Sequence, residues 1–324
     1  MSDTILEVDR LSKRLGSKRA VDRISFSVGR GEVVGLLGPN GAGKTTTMRM
    51  LTTYLAPTSG RARLAGHDVL DQPLEVRQSV GYLPENVPLY LEMRVSEYLG
   101  FRARMRGMSG KDRKRAVARV VSRCQLGEVE HRIIGQLSRG FRQRVGLAEA
   151  MVHDPDILIL DEPTSGLDPL QIREVRALIR ELAERHTILL STHILPEVEA
   201  VCGRVIIIAR GRIAADDRVA DLKSEGAITV EARGKPDAVR AAIQTIPGVE
   251  RVTVIGADGE YTTFEVSTRG QADLREALGQ KLVHGGWPIR QLGLRPSTLE
   301  ERFAQAVARD TDGAEGADRE AASA

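Results

Sequence analysis

The sequence predicts an α/β protein followed by a smaller α+β domain. Three observations carry that prediction. Over residues 1–222, short β-branched runs alternate with amphipathic helical patterns, as parallel strands and their crossover helices do. The clearest runs, EVVGLLG, SVGYLP, ILILDEP, TILLSTH and RVIIIARG, are apolar without alternation, which suits strands covered on both faces. After about residue 223 the pattern changes to alternating strands separated by two helical stretches.

The first strong strand, EVVGLLG, runs into GPNGAGKTT at residues 38–46, with the helical TMRMLTTYL behind it. Glycine permits left-handed backbone and leaves N–H groups uncovered. Several such groups at a helix N-terminus cradle an anion. Gly38-x-x-x-x-Gly43-Lys44-Thr45 has the full spacing of a phosphate-binding loop, with strand before and helix after. Gly38, Pro39, Asn40, Gly41, Ala42, Gly43, Lys44, Thr45 and Thr46 are the nucleotide-binding candidates. Lys44 adds a point charge, and the Thr45 hydroxyl can ligate Mg²⁺.

The next strand, SVGYLP, ends just before Glu85, a carboxylate placed near the loop and able to ligate Mg²⁺. Residues 92–126 read as mostly helix, broken at GMSGKD, and form a helical insertion into the core. LSRGFRQRVGLAEAMVHDP follows, with Ser138 as a helix N-cap. The same geometry presents N–H groups and a hydroxyl to an anion. Which subunit that anion belongs to stays open at this point. ILILDEP at 157–163 then ends a strand in two carboxylates: Asp161 to hold Mg²⁺, Glu162 to polarise a water aimed at a γ-phosphate. TILLSTH brings His193 out at a strand end, and ligands of open α/β sheets gather outside the carboxyl ends of strands. Lys44, Asp161, Glu162 and His193 are therefore expected to converge, with Glu162, His193 and Lys44 as the catalytic set.

Beyond residue 223, AITVEARG reads as a strand and KPDAVRAAIQTI as a helix opened by Pro236. GVERVTVIG and YTTFEVST form a hairpin around Asp258-Gly259, ADLREALGQKLVHGG is helical, and PIRQLGL is a strand. That order, βαββαβ, is ferredoxin-like. STLEERFAQAVA is a last helix with Ser297 as cap and Glu300 three residues on, and the tail from Arg309 lacks apolar periodicity and reads as disordered. The expected domains are 1–223 (helical subdomain about 86–150), 224–308, and the tail 309–324.

Composition narrows the function classes. The chain has 324 residues and a formal net charge of +3, with 47 Lys and Arg spread along it, which argues against a dedicated nucleic-acid surface. Cys124 and Cys202 lack metal-ligand or redox spacing and read as reduced thiols of the cytoplasm. MSDTILEVDR shows no basic region followed by an apolar one, so no secretory signal is expected. No apolar run approaches the ~20 residues of a spanning helix, so a membrane role must come through a partner.

The ordered set GPNGAGKTT, LSRGFRQ, LILDEPTSGLD and STH resembles the ATP-binding subunits of ABC transporters over about residues 4–222. The resemblance implies an ATPase core with ATP and Mg²⁺ as ligands, and a second copy joined head to tail around two ATP molecules. Ser138 and Gly140 would then touch the partner's γ-phosphate, and SGLD with Asp168 would line the contact between subunits. Departures are visible. Arg139 and Phe141 replace a glycine and the glutamine of the usual LSGGQ, Glu85 stands where most relatives carry glutamine, and Leu15 stands where an aromatic normally stacks on adenine. The closing STLEERFAQAV resembles the ending of ATPases that serve ABC-2-type permeases, in the multidrug and gliding-motility branch. The reading is therefore an ATPase subunit of an ABC-2-type exporter, peripheral on the inner membrane face through its integral membrane permease, with no nucleic acid partner. The competing readings are a soluble ABC ATPase of DNA repair or translation, whose usual second cassette and extensions are not visible, and a nucleotide-binding regulator without turnover.

Overall fold

The computed structural model describes residues 4–224, 226–268, 273–296 and 303–304. By its internal contacts the chain divides into Met1–Val219 with Phe303–Ala324, and Ala220–Arg302. The division falls at the start of a short helix, Val219–Ser224, rather than at residue 223. A change of composition marks where the next strand begins; contacts mark where the first core ends. Phe303 and Ala304, from the closing helix expected in the accessory domain, group with the first unit instead. The remainder of that helix and the tail 309–324 lie outside the described residues.

The first unit holds two sheets. Strands β1 (Thr4–Leu15) and β2 (Lys18–Gly29) form a long antiparallel hairpin, extended by β4 (Ser59–Leu64) and β5 (His67–Asp68) in the order β2-β1-β4-β5. The other sheet has the order β10-β9-β3-β8-β7-β6. Its members β3 (Val33–Leu37), β6 (Val80–Leu83), β7 (Ile157–Asp161), β8 (Thr187–Thr192) and β9 (Arg204–Ala209) are mutually parallel, and β10 (Arg212–Arg218) returns antiparallel on β9. All residues of β7 and β8 are buried, which is why their sequences lack alternation. Apolar residues of both sheets and of helix α1 (Lys44–Leu51) pack into one core, including Ile5, Val8, Val34, Leu36, Met48 and Ile206.

After α2 (Pro73–Ser79) and β6, the chain inserts α3 (Val95–Met105), α4 (Gly110–Arg123) and α5 (Arg139–Met151) before β7. Tyr98 of α3 donates its hydroxyl to Glu149 of α5, and Arg102 pairs with the same carboxylate. Helices α6 (Pro169–Ala183) and α7 (Leu195–Val201) follow β7 and β8. Registry aligns the carboxyl ends: Leu37 pairs with Thr192, and Asp161 with Ser191. This alignment positions the site.

Beyond α8 (Val219–Ser224), the second unit runs β11 (Gly226–Arg233), α9 (Pro236–Gln244), β12 (Val249–Asp258), β13 (Tyr261–Thr268), α10 (Arg275–His284) and β14 (Ile289–Pro296). The sheet order β12-β13-β11-β14, antiparallel throughout, is the ferredoxin-like arrangement of βαββαβ. Pro236 opens α9. Asp258 pairs with Tyr261, so the hairpin loop is Gly259-Glu260, one residue beyond the expected pair. Val230, Phe264 and Val266 of the strands pack on Val239, Ile243, Leu278 and Leu282 of the helices. Among the described residues no helix is long and apolar enough to cross a membrane.

Candidate functional site

The loop between β3 and α1 must turn the chain sharply enough to point backbone N–H groups at one place. Gly41 and Gly43 take φ of 80° and 109°, a region side chains rarely enter. At Gly38, a Cβ would collide with the carbonyl of Ile208 in β9. Lys44, only 6% exposed, donates to the carbonyl oxygens of Gly38 at 2.7 Å and Pro39 at 3.3 Å. Its ammonium also lies 3.3 Å from Glu162 Oε1.

Strand β7 brings Asp161 to this point almost fully buried. Thr45 Oγ1 and Ser191 Oγ both donate to its Oδ1, at 3.2 and 2.5 Å. Its Oδ2 is buried with no hydrogen-bond partner. Burial raises the Asp161 pKa against these two hydrogen bonds, and the Glu85 charge raises it further. On neighbouring β6, burial and the Asp161 charge push the Tyr82 phenol up to about 12. A buried carboxylate oxygen without a donor, beside a threonine hydroxyl, fits a hard cation. Among the described residues no cluster of three acidic, His or Cys side chains could enclose a metal. Mg²⁺ takes one or two protein oxygens and completes its shell with phosphate and water.

Glu162 follows at φ 48°, in the left-handed region, a conformation that costs a non-glycine residue about 1–3 kcal/mol. Its surroundings hold it there. The Glu162 N–H points at Ser191 O and Oγ, both 3.1 Å away, and Gln143 Nε2 donates to Pro163 O at 2.8 Å. The side chain lies between Lys44 and His193, whose Nδ1 is 2.8 Å from Glu162 Oε2. His193 is 43% exposed, so this end of the cluster faces outward.

Lys44, Thr45, Asp161, Glu162 and His193 thus form one continuous set. The other sequence candidates stand apart from it in the hydrogen bonding. Glu85 is exposed beyond β6 and reaches Asp161 through its charge, with no hydrogen bond or ion pair of its own among the described residues. Leu15, at the end of β1, is half exposed. Ser138 caps α5 by accepting from Phe141 N at 3.3 Å, and Gly140 is buried where a Cβ would strike Gln171. Arg139, in place of a glycine, donates to Ser165 O at 2.9 Å and lies over Gly166. Asp168 caps α6, accepting from Leu170 N and Gln171 N.

Sequence reasoning missed Ser191, which ties Asp161 to the Glu162 backbone, and the buried Glu197 of α7. The signal for Ser191 was its place in STH at the end of an apolar strand. Glu197 gave none, because its partners come together only through the pairing of β7 with β8.

A family model for the ABC transporter matches residues 21–165. The uncharacterized ABC transporter ATP-binding protein YxlF of Bacillus subtilis is 41% identical over 221 residues, 68% of this chain and 73% of that protein. The chain belongs to the ATP-binding subunits of ABC transporters. Nod factor export ATP-binding protein I of Paraburkholderia xenovorans is 36% identical over 316 residues, 96% of this chain and 99% of that protein. Daunorubicin resistance ATP-binding protein DrrA2 of Streptomyces coeruleorubidus is 33% identical over 322 residues, covering 97% and 98%. A solved ATP-binding subunit of an ABC transporter superposes with TM-score 0.62 at 32% identity, over 68% of this chain and 92% of that one. This ABC subunit therefore binds and hydrolyses ATP, and its family works with membrane permease components.

Proposed function

We propose that this ATPase subunit drives an ABC-2-type exporter, docked on the inner membrane face through an integral permease. The observation that carries the mechanism is the chain of contacts Lys44–Glu162–His193 beside the unpartnered Oδ2 of Asp161. The loop N–H groups and Lys44 hold the ATP phosphates. Thr45 and Asp161 would hold Mg²⁺, which when bound supplies positive charge to the β- and γ-phosphate oxygens. Glu162 orients and polarises the attacking water, while His193 fixes the carboxylate from its outer side. Glu85 senses the filled metal site through its charge on Asp161. A second copy, head to tail, would bring its Ser138 and Gly140 to the γ-phosphate.

The export direction draws support from the relatives, whose names speak of Nod factor export and daunorubicin resistance. Their similarity extends over more than nine-tenths of both chains, so it includes the second unit. The test is detergent purification of the full chain from the membranes of its own cells. A co-purifying multi-spanning protein that stimulates ATP hydrolysis is the expected result. A chain that is active and free of any membrane protein would return the reading to a soluble ABC ATPase.

A further inference from the structure

Behind the Glu162–His193 contact lies a second connection between the same two turns. Thr164, two residues after Glu162, donates its hydroxyl to Glu197 Oε1. Thr192, one residue before His193, donates to Glu197 Oε2 at 2.6 Å and accepts from Ile194 N at 3.0 Å. Arg176 of α6 reaches to 3.6 Å from Glu197 Oε1. Thr164, Thr192 and Glu197 are all buried, Glu197 to 3% exposure.

We propose that Glu197 is a positioning residue for ATP hydrolysis, holding Glu162 and His193 at their working separation by bridging the turns that carry them. The inference rests on Glu162 as the residue that orients water. A buried carboxylate needs its hydrogen bonds, because an unpaired charge there is costly. Both oxygens are used, one for each turn, so the Thr164-to-Thr192 span is set by the width of one carboxylate. Glu162 sits in left-handed backbone that its neighbours must impose, and the Thr164 bond is one of those constraints. His193 is exposed and has Glu162 as its contact in the cluster, so its position depends on the turn beginning at Thr192. Without Glu197 the turns remain tied at their base by the Glu162 N–H to Ser191, but lose the bridge beyond it, and the exposed contact is left to align itself.

The test uses the full chain with Glu197→Ala and Glu197→Gln, each in the wild-type and the Glu162→Gln background, assayed by steady-state and single-turnover ATP hydrolysis. Glu197→Ala should lower kcat roughly 10- to 100-fold, the scale of misplacing a reacting group by about 1 Å. KM for ATP should stay within about twofold, since the phosphate loop is untouched. Glu197→Gln keeps an oxygen for one threonine and an amide for the other, and should restore most of the rate. In the Glu162→Gln background, Glu197→Ala should add little, because the group it positions is already disabled. An equal fractional loss in both backgrounds, or a raised KM with unchanged kcat, would overturn the proposal. If Glu197→Ala does not fold, Thr164→Val and Thr192→Val remove one bond each and carry the same comparison. Near-wild-type turnover by Glu162→Gln alone would overturn the water-orienting assignment, and the positioning role with it. Loss in Glu162→Gln with full activity in Glu197→Ala would sink the positioning role only.

Discussion

Each unit of this chain carries an ionic cluster on its sheet, and the two are built differently. In the second unit Arg290 donates to both Glu231 oxygens, one at 2.7 Å, and to Asp258 Oδ2 at 2.8 Å, with its guanidinium 4.9 Å above the Tyr261 ring. The cation has two carboxylates and an aromatic face, and the cluster is closed. In the first unit Asp161 leaves one buried oxygen without a donor, and Lys44 turns to its own loop's carbonyls as well as to Glu162. A cluster that serves stability satisfies itself, whereas one that receives a ligand keeps groups that only the ligand completes. The comparison predicts large functional effects in the first cluster and nearly none in the second.

The largest effect should follow from Glu162→Gln. The amide keeps the shape of the side chain but cannot accept a proton, so turnover should fall by about 10²–10⁴. ATP binding should persist, and ATP-held dimers should accumulate in size-exclusion chromatography. Turnover close to wild type would mean that the cluster's contacts are structural after all, and the contrast with Arg290 would collapse.

Leu15 probes the proposed contact with the base. As the proposed base contact it lacks a ring face, and half of it is exposed. Leu15→Tyr should tighten ATP relative to GTP by about two- to tenfold, the worth of roughly 0.5–1.5 kcal/mol of stacking. Competition binding with the two nucleotides measures this directly. Unchanged relative affinity would show that another side chain already stacks on the base.

How much of this was readable beforehand depends on the range of the interaction concerned. The phosphate loop and the strand-end carboxylates are local patterns, since a five-residue buried strand and a glycine-rich turn announce themselves in the residues that form them. The βαββαβ order was legible for the same reason. The antiparallel sheet of β1 and β2 was not among the clearest strands. Its alternation is broken by register shifts near Arg10 and Arg23, which take φ of 45° and 50°. In β1 each irregularity moves the following residues to the other face and the period-2 signal weakens, whereas β2 keeps a clean alternation from Asp22 to Val28. Glu197 was invisible for a different reason. It looks like an ordinary first-turn acid of a short helix; Thr192 lies five residues before it, and only parallel pairing of β7 and β8 brings Thr164 to it.

Asp161 sharpens the comparison through stability. Burial raises its pKa, so the folded chain holds this proton more tightly than the unfolded chain does. Stability therefore falls as pH rises from the usual carboxylate range through the raised value. Asp161→Asn should raise the melting temperature of the nucleotide-free chain in EDTA by roughly 2–4 °C, the shift that about 1 kcal/mol produces in a unit of this size. The same variant should lose the further stabilisation that Mg²⁺ and ATP give the wild type. Thermal scans with and without Mg²⁺·ATP test both halves, and a lower melting temperature in EDTA would show that the charged form is already satisfied.

The smallest functional effect belongs to Arg290→Ala in the closed cluster. ATP turnover should stay within about twofold of wild type, the spread of substitutions that touch no reacting group. Its consequence should instead be acid-dependent stability of the second unit. Arg290 holds the Glu231 carboxyl below the usual carboxylate range, so the pair's contribution is present at neutral pH and lost as pH falls through that lowered value. Wild type and variant should therefore differ most in denaturant midpoint near pH 7 and converge once Glu231 is protonated. Urea titrations followed by Trp287 fluorescence, repeated down the pH scale, would measure this, because Trp287 packs against the core of that unit. A gap that stays constant through the acid range would mean that Arg290 acts by packing over Tyr261 rather than by charge. A collapse of ATP turnover would show that the closed cluster serves the reaction, and the distinction between the two clusters would have to be redrawn.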